Sequence, residues 1–421
     1  MFIFILSTFD MAYNAKFCME IIKQKSSDIS QYSYTSIMDA YDRVINNLEK
    51  YDNTLYRIEK QYKMTENEAL TIGYNGVSYS SSTYYKELHS ALEKLGLEKF
   101  HVQIKYNMET TKMVDMILGI KYIIGSPVQE LKKDYDVEYE EKFIEKNVKI
   151  YKNPYNLSIG YAVNKEIFET NMNESDTFNL QNQILKNMTG IDEAVYAKHK
   201  GEIIRSIQGL TENGKTYNLK GDESAKIKYE FEVESTDNLY IYVSYITDDG
   251  TKIFVNGEEK STSINLGKRQ IGEKIEIEII PTSDTYLNGV YVYYENDEIL
   301  KKYYQELSEE QVSLKKINDS NYEGSVNITG DNEYILFTIP YDNGWKIKID
   351  NEEVGYERVL NSLIAVKTEK GEHEISLEYM PPKFEVGMVV SCIGIGVFIV
   401  YIILSKRHIK GQKIVENNDK S

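Results

Sequence analysis

The stretch that decides the fold lies near the C-terminal end, and it reads Tyr334-Ile335-Leu336-Phe337-Thr338-Ile339-Pro340-Tyr341-Asp342-Asn343-Gly344-Trp345-Lys346-Ile347-Lys348-Ile349-Asp350-Asn351-Glu352-Glu353. Two strand-forming runs are separated by an Asn-Gly turn, and an Asp-Asn turn follows the second run. Such turns are typical of β-hairpins, whose tight connections depend on residues that tolerate positive φ. The stretch therefore predicts a strand, turn, strand, turn, strand unit.

A second copy of this pattern lies upstream. Residues 240–245 and 249–259 repeat the order of strands and turns, with Asp249-Gly250 and Asn256-Gly257 at the two turns. Each copy continues to a closing strand, Lys274–Ile280 in the first and His373–Tyr379 in the second. An internal repeat of this kind predicts two similar structural units. We expect two β-sandwich-like modules, at residues 216–297 and 322–382.

Helix and strand signals alternate ahead of the modules. Residues 113–124 predict a short helix and a strand closed by Gly125-Ser126-Pro127, and Thr83–Leu95 predicts a helix that Gly96 ends. Residues 11–168 are therefore predicted to form an α+β domain. A linker and helical segment is expected at 169–215, with its helix near Thr177–Met188, and a helical connector at 298–321.

An uncharged apolar run extends from Val386 to Leu404 and is followed at once by Lys406 and Arg407. Its 19 residues match the roughly 20 that a helix needs to cross the hydrocarbon core. The cations on its C-terminal side predict, by the positive-inside rule, a cytoplasmic tail at 405–421. Residues 11–380 are therefore expected outside the cytoplasm, and the lipid bilayer is a predicted partner.

The first ten residues form an apolar stub. Met1–Phe9 is too short to span a membrane, and neither a basic segment nor a cleavage site accompanies it. We interpret residues 1–10 as the end of a truncated transmembrane helix, so that the chain is the C-terminal piece of a polytopic protein. A weak, uncleaved signal anchor is the alternative.

Composition excludes several classes of function. A net charge of −17 and the lack of a basic stripe outside the tail argue against nucleic acid as a partner. Cys18 and Cys392 are the two cysteines, and Cys392 lies inside the predicted span, so neither a disulfide nor a zinc site is expected. The five histidines are scattered, and no nucleophile elbow or phosphate loop is present. We predict no catalytic residue, metal or cofactor.

Two segments are candidate glycan sites. In the first, Tyr341 and Trp345 would stack on a sugar ring while Asp342 and Asn343 bind its hydroxyls. The structural interpretation is favoured: Pro340 sets the turn and Trp345 plugs the sandwich, since the repeat has Thr251 in place of the tryptophan.

The second segment is Gly73–Ser82, where Tyr74 and Asn75 are the possible glycan-binding residues and where glycines and hydroxyls are suited to a polar ligand. A glycine-rich turn that opens a helix at Ser82 or Thr83 explains this segment equally well, and we favour that interpretation.

The turn region resembles the C-terminal end of the YfhO family of bacterial membrane proteins. The resemblance rests on the Ile339–Lys346 stretch, the Asp350-Asn351 turn and the final span, and it also includes the following segments: Lys370–Ile375, Tyr379–Pro382, Tyr56–Glu59, Gly73–Gly76, Ser80–Ser82, Leu118–Ile124, Tyr151–Asn153 and Gly160-Tyr161. It covers nearly the whole chain and is quite specific in the last stretch.

This resemblance implies a polytopic protein with a GT-C-like membrane core that transfers sugars from a lipid-linked donor to envelope polymers such as teichoic acids. The family's many preceding membrane helices, with the acidic loops expected to carry catalysis, are missing from this chain. We therefore expect an extracytoplasmic region that covers a missing membrane core and binds the acceptor glycan. The alternative is a membrane-anchored carbohydrate-binding or structural surface module without a role in glycosyl transfer.

Overall fold

A computed structural model describes residues 9–18, 20, 31–63, 65–107, 109–126, 130–143, 146–221, 225–246 and 250–418. Residues 1–8 of the stub lie outside the described residues. Residues 9–18 are helical and exposed.

The chain forms two compact units, each built from separate stretches of sequence. The first unit comprises residues 1–157, 171–183 and 192–304, and the second comprises residues 158–170, 184–191 and 305–421. The contiguous domain boundaries predicted above remain a proposal.

The N-terminal part of the first unit mixes helices with short strands. Its helices are α1 (Gln31–Tyr51), α2 (Glu68–Ile72), α3 (Lys86–Lys94) and α4 (Lys112–Ile117). Its strands are β1 (Arg57–Lys60), β2 (Tyr79–Ser80), β3 (Glu98–Phe100), β4 (Gln103–Lys105), β5 (Ile120–Ile124), β6 (Asp136–Phe143) and β7 (Lys146–Lys152). One sheet has the order β1-β5-β7-β6, with β1 parallel to β5, and the other has the order β2-β4-β3. The predicted α+β character is confirmed.

Helix α1 covers the four-stranded sheet because its apolar residues recur every three or four positions. Tyr41, Val44 and Leu48 are buried in one cluster with Ile58 of β1 and Ile150 of β7. The next predicted helix, expected from Thr83, begins at Lys86 instead, and Gly96 just beyond its end adopts the predicted left-handed conformation with φ 99°.

The first β-sandwich, called the first module, completes the first unit. Its strands are β9 (Tyr196–Lys198), β10 (Ile204–Gln208), β11 (Leu210–Asn213), β12 (Thr216–Leu219), β13 (Lys226–Glu232), β14 (Asn238–Ile246), β15 (Lys252–Val255), β16 (Glu258–Lys260), β17 (Ser263–Lys268), β18 (Lys274–Ile280) and β19 (Thr285–Glu295). The sheet β10-β13-β18-β15-β16 faces the sheet β11-β12-β19-β14-β17, with β9 beside β19. Alternate residues of both sheets, such as Ile277 and Ile241, share one buried core.

The second β-sandwich, called the second module, lies in the second unit. Its strands are β8 (Gly160–Val163), β20 (Ser313–Asn318), β21 (Asn321–Ile328), β22 (Tyr334–Pro340), β23 (Trp345–Ile349), β24 (Glu352–Val354), β25 (Glu357–Val359), β26 (Leu363–Lys367) and β27 (Gly371–Tyr379). The sheets are β20-β21-β27-β23-β24 and β25-β26-β22-β8. Strand β8 comes from far upstream, and it pairs antiparallel with β22.

Three longer helices connect or follow the sheets. They are α5 (Thr177–Thr189), α6 (Asp297–Ser308) and α7 (Phe384–Asn418), and a 3-10 turn spans Lys165–Glu169. Within α7, residues Phe384–Ser405 are long and apolar enough to cross a membrane, and no part of that stretch is buried in the protein. The predicted C-terminal transmembrane helix is therefore present.

The repeat is confirmed, but the prediction for one of its two turns is wrong. The second turn is a hairpin in each module, with positive φ at Asn256 and Gly257 and at Asp350 and Asn351. The first turn is not a hairpin, because β22 and β23 belong to opposite sheets, as do β14 and β15. Gly344 accordingly lies outside the left-handed region. In each module, therefore, the two strands that flank the first turn lie in different layers of the sandwich.

Candidate functional site

Trp345 lies at the end of the second module rather than in its core. The ring is half-buried, and it packs against Tyr379, its direct neighbour on β27, with ring centroids 4.9 Å apart. The Tyr322 ring lies 6.5 Å from it, centre to centre. The indole N–H donates to the Pro340 carbonyl oxygen over 3.1 Å. Trp345 therefore caps the sandwich instead of plugging it, and its indole donor is already satisfied.

The crossover turn is held by its own hydrogen bonds. The Tyr341 N–H donates to the Ser362 carbonyl at 2.7 Å, and the Gly344 N–H donates to the Asp342 carboxylate at 2.7 Å. A Cβ at Gly344 would lie 2.2 Å from the Met380 carbonyl oxygen, so only glycine fits. The Met380 N–H donates to the Gly344 carbonyl over 3.0 Å. The turn is thus fixed to the segment that leads into α7.

Tyr356 and Arg358 complete this end of the module. The Tyr356 hydroxyl lies within hydrogen-bond distance of the carbonyl oxygens of Asp342 and Trp345, at 2.9 and 3.1 Å, and its ring meets Tyr341 edge-on at 5.6 Å. Burial raises the pKa of Tyr356. The Arg358 guanidinium lies 4.4 Å from the centre of the Tyr341 ring, a cation–π distance.

We call the following set the aromatic end: Tyr322, Tyr341, Trp345, Tyr356, Tyr379 and Met380. The fold brings the four predicted residues of the turn together there. Asn343 is exposed, whereas Tyr341, Asp342 and Trp345 are half-buried. Tyr322, Tyr356 and Tyr379 were not predicted as site residues. Their signals in the sequence were a position in or beside predicted strands and, for Tyr379, a place in a segment that carries the family resemblance.

Tyr74 and Asn75 belong to the first unit, whereas the crossover turn belongs to the second. The Asn75 carbonyl accepts the Ile58 N–H over 2.8 Å, and its amide donates to the Tyr56 carbonyl at 3.3 Å. The Tyr74 ring lies 5.2 Å from the Lys60 ammonium, and burial raises the pKa of its hydroxyl. Asn75 is exposed, whereas Tyr74 is half-buried.

The polar groups of the Gly73–Ser82 segment are largely used internally. The buried Glu59 carboxylate accepts the backbone N–H groups of Val77 and Ser78, at 2.6 and 3.1 Å. The segment opens no helix at Ser82 or Thr83, since α3 begins only at Lys86. Its backbone and hydroxyl groups therefore shape a loop around Glu59.

A buried ionic cluster in the first unit was not predicted. Neither Asp115 nor Lys133 has any exposed side-chain surface, and the two form an ion pair. The hydroxyls of Tyr106 and Tyr135 donate to the Asp115 carboxylate at 2.8 and 2.7 Å. Burial raises the pKa of Asp115 and lowers the pKa of Lys133. Because solvent does not reach the cluster, we assign it to the packing of the domain.

A second buried cluster lies in the same unit. The Lys112 ammonium is 3.5 Å from the Glu295 carboxylate and 2.6 Å from that of Asp297. The Tyr196 hydroxyl donates to Glu295 over 3.0 Å. These contacts join α4 to the end of β19 and the start of α6.

An open groove of about 920 Å³ runs along the first module. Its charged lining is mostly acidic: Glu202, Glu230, Glu232, Glu234 and Glu276, with Lys274. Such a surface repels phosphate-bearing polymers. Within the described residues no group of three or more His, Cys, Asp or Glu side chains is arranged to hold a metal ion.

The fold and its helix define a membrane-anchored protein whose two β-sandwiches lie outside the spanning segment. The family model of the bacterial membrane protein YfhO matches residues 1–391, so the chain belongs to the YfhO family. The chain is 23% identical over 380 residues to a protein of Bacillus subtilis (strain 168) described as "Uncharacterized protein YfhO". The match covers 83% of this chain and 43% of that relative, so the chain spans less than half its length.

Likeness to solved structures is weak. A cycloisomaltooligosaccharide glucanotransferase from Paenibacillus sp. matches with a TM-score of 0.16 and 6% identity, over 43% of this chain and 44% of that one. An anti-sigma factor domain-containing protein from Clostridium clariflavum matches with a TM-score of 0.14 and 12% identity, over 42% of this chain and 81% of that one. Scores this low say nothing about the function of the chain.

Proposed function

We propose that this chain is the extracytoplasmic, membrane-anchored region of a protein that glycosylates cell-envelope polymers such as teichoic acids. In this proposal it covers the membrane core of the full-length protein, where the lipid-linked sugar is used, and it binds the acceptor glycan. Glycosyl transfer itself is placed in the remainder of that protein. Membership of the YfhO family and the C-terminal transmembrane helix support the proposal.

One observation carries the glycan-binding part: the crossover turn is held in place, and it presents polar and aromatic groups beside the membrane helix. Asn343 is exposed, Tyr341 is half-buried, and the backbone of the turn is held by Ser362 and Met380. An aromatic ring beside an amide is suited to binding a sugar, since the ring covers an apolar face and the amide bonds a hydroxyl. The turn loses little conformational entropy on binding because it is already ordered.

Binding of purified teichoic acid and of a glycan array by the full chain in nanodiscs tests the proposal. We expect Tyr341→Ala and Asn343→Ala each to weaken binding by roughly tenfold, the equivalent of about 1.4 kcal/mol. Tyr286→Ala, which removes an exposed tyrosine of the first module, is the matched control and should bind like wild type. Absence of binding by the folded wild type would contradict the proposal and favour a surface module without a glycan role.

A further inference from the structure

We infer that the aromatic end of the second module rests in the headgroup layer of the membrane that α7 crosses, with Trp345 at the level of the lipid headgroups. The partner is the lipid surface itself. This inference does not depend on the glycan proposal, because it rests on Trp345, Tyr379 and Met380. The glycan proposal rests on Tyr341 and Asn343.

The second module joins α7 through a short connection. Strand β27 ends at Tyr379 and α7 begins at Phe384, so even a fully extended connection spans at most about 18 Å. The connection is not extended, because the Phe384 N–H donates to the Pro381 carbonyl at 3.1 Å. Since each headgroup layer is about 5–8 Å thick, a module end tied this closely to the helix reaches that layer.

The connection is also fixed rather than a loose tether. Met380 bonds to Gly344 through the backbone, and Tyr379 pairs with Trp345 across adjacent strands. The aromatic end is therefore held at a fixed position relative to the first turn of α7. Any depth that Phe384 adopts in the bilayer limits the depth of Trp345.

The chemistry of the surface suits the interface between water and lipid. Tryptophan and tyrosine concentrate at the headgroup level because their rings are apolar and carry one polar group each. The Trp345 N–H is satisfied by Pro340, so the ring enters a less polar layer without an unpaired donor. Met380 and Phe384 are 39% and 55% exposed, which leaves apolar surface for lipid beside the rings.

Two cations flank this surface. Arg358 and Lys383 are both exposed, and basic residues next to a membrane helix are attracted to anionic lipid headgroups. Glu385 in the first turn of α7 is also exposed, so the attraction is moderate.

The two modules supply a comparison within one chain. The position that corresponds to Trp345 in the first module is Thr251, and that module is followed by α6 rather than by a membrane helix. The tryptophan is therefore present in the module that joins α7 and absent from the other.

The experiment uses the fact that Trp345 is the only tryptophan of the chain. Its fluorescence in the full chain, reconstituted in lipid vesicles, is recorded with quenchers attached to the headgroup or at set depths along the acyl chain. The control carries Trp345→Phe with Thr251→Trp, which moves the single reporter to the first module. If this control does not fold, Trp345→Phe with Tyr286→Trp replaces it.

We expect headgroup-level quenchers to reduce Trp345 emission at least about twofold more than they reduce the emission of the moved reporter. Quenching of Trp345 that equals or falls below that of the control overturns the inference. No glycan is present in this measurement, so its failure is distinguishable from a failure of glycan binding.

Discussion

Breaking the buried Asp115–Lys133 pair tests the assignment of the ionic cluster to packing. Lys133→Met removes the ammonium and leaves a carboxylate without any solvent contact, because both side chains are fully buried. The hydroxyls of Tyr106 and Tyr135 still donate to Asp115, yet they cannot neutralise its charge. Removing one partner of such a pair costs about 3–5 kcal/mol.

A matched pair on the surface supplies the control. Lys149 and Glu130 lie 2.7 Å apart, with side chains 39% and 74% exposed. An exposed pair of this kind contributes roughly 0–1 kcal/mol. Lys149→Met should therefore be nearly neutral, although it makes the same chemical change. The difference between the two variants isolates the effect of burial.

Hydrogen exchange of the full chain in detergent, followed by mass spectrometry, gives the local free energy of unfolding. We expect protection of β5 to fall by roughly two to four orders of magnitude in Lys133→Met, since about 1.4 kcal/mol corresponds to tenfold. In the double variant Lys133→Met with Asp115→Asn, much of the lost protection of β5 should return. The amide of asparagine carries no charge, whereas burial disfavours the charged form of both native side chains. Equal losses in Lys133→Met and Lys149→Met would refute the reasoning.

Two further predictions concern the second module. The hydrogen bond between His373 and Asp350 is 2.8 Å long, and it raises the pKa of His373. The stabilisation that this bond gives the folded module is therefore complete below the ordinary histidine pKa of about 6.5, and it is lost as the pH rises through the raised pKa. The melting temperature of wild type minus that of His373→Gln should therefore fall with rising pH, and a difference that is flat or rises with pH contradicts this. Gly344→Ala places a methyl group against the Met380 carbonyl and should destabilise the module by about 1–3 kcal/mol in thermal melting, whereas Gly355→Ala, with no atom within 4 Å of the new Cβ, should not. Equal melting of the two alanine variants would show that the turn has room to shift.

Local patterns were predicted well from the sequence. The alternation of Ile275, Ile277 and Ile279 identifies β18, because a strand with one buried face has a period of two. The apolar run of α7 is equally evident, since its signal lies within one continuous segment. Both features depend only on neighbouring residues.

Pairing between distant segments was not predictable in the same way. Asn343-Gly344 has the composition of a hairpin turn, yet the competing requirement to bury both sheets carries the chain across the sandwich. Asp115 and Lys133 form a buried pair, yet nothing in the sequence around them distinguishes them from charged residues at the protein surface. Of the candidate site, the turn was identified and its aromatic neighbours were not.

Strand β8 has a consequence for how the chain matures. Its partner β22 is synthesised roughly 170 residues later, and at ribosomal rates of about 5–20 residues per second that delay amounts to roughly 10–35 s. During that interval the segment Gly160–Val163 has no partner strand, although it is fully buried in the finished sheet. An apolar strand with an open edge is a site of misassembly. The nascent chain therefore exposes this segment to pairing with other molecules until its own partner strand has been made.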